Sequence, residues 1–220
     1  MHTDRAVVVR RWPGDSERWL AAFLEAAASN SSIVVIVVMG SAVRERGHRR
    51  SDFDLLLIYR GKRPAIKAPL EVDIRFLAIE RIDDQIAKGH EILCWALKFG
   101  TALYDPQGYW DRLQQSWSNR IPLPSAVEAR ERGQQALARA IDMLRIGDES
   151  AADDLVLAAL TQFARERLIN NSVFPASRPE LPDQLRVIAQ DDPLARLLEE
   201  AMYGDPVPSD LIDSLTGMRL

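Results

Sequence analysis

The run Val37-Val38-Met39-Gly40-Ser41, then ten residues, then Asp52-Phe53-Asp54-Leu55-Leu56, and later Val72-Asp73-Ile74, decides how this chain is read. Its first part ends Ile33-Val34-Val35-Ile36-Val37-Val38-Met39, a β-branched run of strand length without alternation, which predicts a strand buried on both faces. Gly40-Ser41 at the end of such a strand can present backbone N–H groups and a hydroxyl to a phosphate, glycine permitting close approach. Asp52 and Asp54 are two apart on a strand, so the pleat points both carboxylates to one face while Phe53 between them faces the core. Two like charges so placed repel each other unless a cation neutralises them. Hard oxygen donors beside a triphosphate suit Mg²⁺ better than a soft metal. Asp73 on the following strand can converge on the same ions. The three carboxylates would then frame a two-metal site, one ion activating a hydroxyl and the other steadying pyrophosphate.

Outward from this stretch, element types alternate. Trp19, Leu20, Phe23 and Leu24 recur at helical spacing over residues 15–28, with Asp15 or Ser16 as cap. Phe53 to Tyr59 and Leu70 to Ile79 read as strands, separated by Gly61, Pro64 and Pro69. From Glu80 onward strand signals vanish, and Ile82, Ile86, Ile92, Leu93, Leu97 and Phe99 predict helix up to Gly100. Two prolines in Asn119-Arg120-Ile121-Pro122-Leu123-Pro124 mark a domain boundary, giving domains 1–120 and 121–220. Beyond it, Ser125 and Glu128 form a capping-box pattern. Helices are then expected to Gly147, from near Ser150, over Leu181 to Ile188, and over Leu194 to Met202.

Composition bounds the function. The chain has 220 residues, 47% apolar and 27% charged, as an ordinary globular protein does. A net charge of -4 gives no global attraction to nucleic acid or anionic lipid. Any polyanion would have to meet the local run Arg44, Arg46, His48, Arg49 and Arg50. The single cysteine, Cys94, cannot form an internal disulfide, and no apolar run is long enough to span a bilayer; cytoplasmic residence is the expectation.

Gly40-Ser41, the ten-residue spacer, Asp52-Phe53-Asp54 and Asp73 resemble the signature of the DNA polymerase β-type nucleotidyltransferase superfamily over residues 33–77. Minimal nucleotidyltransferases and antibiotic nucleotidyltransferases are the nearest in size. The resemblance implies an α+β chain: a small mixed β-sheet with flanking helices, followed by an all-α helical bundle. It also implies two Mg²⁺ ions and transfer of a nucleoside monophosphate from an NTP, expected to be ATP, to a hydroxyl with release of pyrophosphate. Asp52, Asp54 and Asp73 are the expected metal and catalytic residues; Gly40, Ser41 and Ser51 are the expected nucleotide-binding residues.

The partners expected are the NTP and a hydroxyl-bearing acceptor, a small molecule or a protein, with neither nucleic acid nor membrane; a homodimer is left open. Glu91, Glu128 and Glu131 are candidates for an additional general base, although a solvated helix carboxylate explains Glu91 and capping explains Glu128. His90 reads as a satisfied histidine. The five tryptophans read as packing residues, with Trp110 and Trp117 the candidates to line a cleft. Arg178 stands in a proline-bounded loop where it could reach a phosphate or make a salt bridge. In the helical half, Arg165 and Arg167 are followed by Asn170 and Asn171 and no histidine, so the Arg–His pattern of helical ribonuclease partners is incomplete. The alternative is a nucleotide-binding, antitoxin-like or regulatory interaction protein. A template-directed polymerase fits poorly, because the chain is short and acidic.

Overall fold

The computed structural model describes residues 14–40 and 53–203. The chain divides into two compact units, Met1–Pro122 and Leu123–Leu220.

In the first unit, α1 (Gly14–Ala28) turns Leu20, Phe23 and Ala27 inward onto a sheet of four strands. These are β1 (Ile33–Met39), β2 (Phe53–Tyr59), β3 (Val72–Ala78) and β4 (Thr101–Tyr104), in spatial order β3-β2-β1-β4. β1 pairs antiparallel with β2 and with β4, whereas β2 and β3 run parallel, so the sheet is mixed. β1 lies in the interior of the sheet, as its unbroken apolar run requires. Ile36 and Val38 pack with Phe53, Leu55, Leu57 and Val72 under α1. A register shift between Ile33 and Val35 brings Ile33 to that same side.

The other face of the sheet is covered by later helices. α2 (Ile82–Ala87) packs against α3 (Glu91–Phe99), and α3 and α4 (Tyr109–Trp117) pack on β1. Leu93, Cys94, Leu97 and Trp110 are buried there. The parallel pairing of β2 with β3 needs a long return, and residues 60–71 supply it without a helix. That return is pinned where Trp19 Nε1 donates to the Lys67 carbonyl at 3.0 Å and where the Arg63 guanidinium stacks 4.0 Å over Phe76. Ile66 and Ala68 pack against the α1 side of the core.

Two features depart from the sequence reading. The helical pattern from Ile82 to Phe99 is two helices, because His90 starts a new one: its Nδ1 accepts the Leu93 N–H at 3.3 Å. A strand follows where none was expected, Thr101–Tyr104. Four residues are too few to show a period of two. What makes them a strand is the vacant edge of β1 beside them, reached because Gly100 fits between the Ala96 carbonyl and Val37.

The described residues of the second unit form helices and connecting loops without a strand: α5 (Ala126–Arg145), α6 (Glu149–Asn170), α7 (Leu181–Ile188) and α8 (Pro193–Tyr203). Ser125 Oγ accepts the Glu128 N–H at 3.2 Å, starting α5, but the Glu128 carboxylate turns to Arg132 at 3.1 Å. α5 and α6 form a tight helical hairpin across three residues, with Asp148 capping α6 through the Ala151 N–H. α6 carries Val156, Leu160, Phe163 and Leu168 into a core completed by Leu137, Leu181, Leu185, Leu194 and Leu198. Two buried carboxylates are matched by arginines at 2.6 Å, Glu166 by Arg130 and Asp192 by Arg167. No helix among the described residues is long and apolar enough to cross a membrane.

Candidate functional site

The site is built where three strand ends meet. Met39, the last residue of β1, pairs with Asp54 on β2, and Asp54 pairs in turn with Asp73 on β3. In a parallel pair, residues in register project to the same side of the sheet, so the two carboxylates stand on one face about 4.8 Å apart at the backbone. Phe53 and Val72, which flank them in sequence, are buried on the opposite face under α1. The pleat therefore assigns one side to packing and the other to the acids.

Gly40 closes the third side. It follows β1 with φ +75°, a conformation that favours glycine. A Cβ built on it would collide with Asp54 Oδ2. Glycine is thus favoured twice over, once for its backbone and once because a side chain there would have to displace the Asp54 carboxylate. Asp54 and Asp73 are both half-buried, open on one side to solvent.

Asp73 has a partner that sequence reading passed over. Arg75, two residues on and hence on the same face of β3, places Nη2 at 2.5 Å from Asp73 Oδ2. The spacing Asp73-Ile74-Arg75 on a strand was the available signal; attention to the acids alone missed it.

Ser41, Ser51 and Asp52 lie outside the described residues, as does the basic run from Arg44 to Arg50. Among the described residues no three His, Cys, Asp or Glu side chains gather as a metal site. The two acids that are described make a donor set of hard oxygens only, in register and beside a glycine held clear of any side chain. Such a set fits Mg²⁺ and does not fit a thiophilic metal.

The other candidates separate clearly. His90 is a helix cap. Glu91 sits half-buried in the first turn of α3. Glu128 is engaged with Arg132, and Glu131 is exposed on α5. Trp110 is wholly buried, which removes it as a cleft residue: its flanking polar residues hid a core position that only the packing of α4 on β1 defines. Trp117 is partly exposed, stacked 4.8 Å under Arg120 with its indole N–H directed at Asp83. Trp19 stacks on Phe23 and Trp95 tilts against Phe99, both as packing residues. Arg178 sits on a 3-10 turn, where partial burial of its guanidinium and then the nearby charge of Arg165 lower its basicity. A groove of about 410 Å³ between α1 and the return loop, lined by Trp19, Phe23, Asn30 and Ile66, adjoins the Ile33 end of β1 and includes none of the acids.

Residues 20–105 match the nucleotidyltransferase domain family. The matched segment starts in α1, contains Gly40, Asp54 and Asp73, and ends just after β4. A nucleotidyltransferase-like protein from Exiguobacterium sibiricum is similar in structure, with 17% identity, a TM-score of 0.43, and coverage of 90% of this chain and 70% of that one. No curated protein matches the chain. The family supports nucleotidyl transfer as the general activity. Over residues 20–105, with their mixed sheet and flanking helices, the chain is similar to nucleotidyltransferase domains.

Proposed function

We propose that the protein is a Mg²⁺-dependent nucleotidyltransferase that moves a nucleoside monophosphate from an NTP, ATP being the expected donor, to a hydroxyl of a small molecule or a protein. The observation that carries this reading is the in-register pairing of Asp54 with Asp73 beside Gly40, inside the segment that matches the family. Asp52 and Asp54 hold the cations, and Asp73 completes the set while helping to deprotonate the acceptor. Gly40, Ser41 and Ser51 offer N–H and hydroxyl groups to the triphosphate. When bound, the two Mg²⁺ ions supply Lewis acidity and neutralise charge on the phosphates.

The acceptor oxygen forms a bond to the α-phosphorus and the bond from that phosphorus to the β-bridging oxygen breaks. Pyrophosphate leaves with the electron pair, and the hydroxyl proton passes to the Asp73 side of the site. The domain does not name its acceptor; labelled NTPs offered with a panel of aminoglycosides, lincosamides and host proteins would identify it.

The test is Asp54→Asn and Asp52→Asn. Each removes a ligand charge with almost no change in volume, so far-ultraviolet circular dichroism should be unchanged. Mg²⁺-dependent pyrophosphate release should fall more than about a hundredfold, beyond the loss typical when a group supporting a metal ligand is removed. Turnover equal to the parent in both variants rejects the assignment.

A further inference from the structure

Asp54 and Asp73 are like charges placed directly across adjacent strands, an arrangement that is destabilising without a counter-ion. The chain supplies one of its own. Arg75 reaches Asp73 Oδ2 at 2.5 Å, and its cross-strand partner in register is Leu56, which offers it no charge. Both members of the pair remain partly open to solvent, 54% for Arg75 and 43% for Asp73, so the guanidinium can leave without unpacking a core.

We propose that Arg75 is a resident counter-ion that competes with divalent cations for Asp73, so that the site discriminates against a bare metal ion and accepts the metal together with its triphosphate. This rests on the reading of Asp54 and Asp73 as metal ligands. The argument is electrostatic. A bare dication that takes Asp73 strips Arg75 of its partner and leaves two positive charges side by side. A metal–triphosphate is net anionic, and its phosphate oxygens can accept the released guanidinium N–H groups, for which the planar fork of arginine is suited. Arg75 would then be a positioning residue whose penalty falls on the bare metal alone.

The measurement is Mn²⁺ binding by electron paramagnetic resonance, without nucleotide, on the full chain and on Arg75→Gln, Arg75→Lys and Asp54→Asn. A partly exposed ion pair contributes up to about 1 kcal/mol, so Arg75→Gln should bind Mn²⁺ about two- to fivefold more tightly. Its affinity for Mn²⁺ with a non-hydrolysable NTP should be equal or weaker. Arg75→Lys, which keeps the charge and loses the fork, should fall between; should the glutamine variant fail to fold, a lysine variant no tighter than the parent overturns the proposal. Mn²⁺ binding that is lost in Asp54→Asn but no tighter in Arg75→Gln refutes the role of Arg75 while sparing the site. Mn²⁺ binding that persists in Asp54→Asn, or is absent from every protein, refutes the site and this proposal with it.

Discussion

Gly40 is the residue on which most of the site's geometry converges. Its positive φ is strained for any other residue, and a side chain there would push against the Asp54 carboxylate. Alanine there must bear the cost of a left-handed conformation, about 1–2 kcal/mol, and also displace the carboxylate. Gly61 provides the control, since it has φ +71° with nothing within 4 Å of a built Cβ. Urea unfolding should show both Gly40→Ala and Gly61→Ala destabilised by about 1–2 kcal/mol. Only Gly40→Ala should lose nucleotide-dependent pyrophosphate release. If the two variants retain equal activity, the contact between Gly40 and Asp54 has no functional meaning.

Among the elements, the hairpin of α5 and α6 depends on a small residue facing a large one. A Cβ on Gly133 would lie 2.6 Å from the Phe163 ring, closer than packed atoms approach. Glycine is a poor helix residue, by about 1 kcal/mol relative to alanine, so its presence in the interior of α5 has a packing reason. Gly133→Ala gains that propensity and incurs an overpacking cost of about 1–3 kcal/mol. The net expectation in chemical denaturation is no gain, and up to about 2 kcal/mol of loss. Adding Phe163→Leu to Gly133→Ala should recover part of it, as coupled neighbours do. Strict additivity of the two changes would show that they are not in contact. In the sheet, the equivalent pressure point is Gly100, which lets α3 turn directly into β4.

At the scale of the whole molecule, stability should depend on alkaline pH. Burial of the Cys94 thiol pushes its pKa up from 9.0 to about 11. Burial, then the Asp83 charge, pushes Tyr109 from 10.0 to about 12. Both groups ionise more readily in the unfolded chain. Their contribution is therefore fully present below pH 9 and is lost as the pH rises toward 11 and 12. Thermal melts should be flat from pH 7 to 9 and fall steadily above it, and Cys94→Ala should weaken that fall. The same burial predicts that Ellman's reagent labels Cys94 only after denaturation. Rapid labelling of the native chain at pH 8 would contradict it.

Much of the architecture was legible because it rests on local pattern. The β-branched apolar run from Ile33 to Val38 favours an interior strand, and period-two alternation at Phe53 and Asp54 divides packing from chemistry. The apolar face of α5 and the cap at Ser125 are equally local. What the sequence left open were pairings between distant segments. The register that sets Asp54 beside Asp73, the edge that recruits Thr101–Tyr104, the burial of Trp110 and the carboxylate that a side chain at Gly40 would push against are properties of neighbours brought together by folding. A residue's periodicity is written in the few positions around it, whereas its partner across a sheet is chosen by the packing of the whole unit, and no short window of sequence contains that choice.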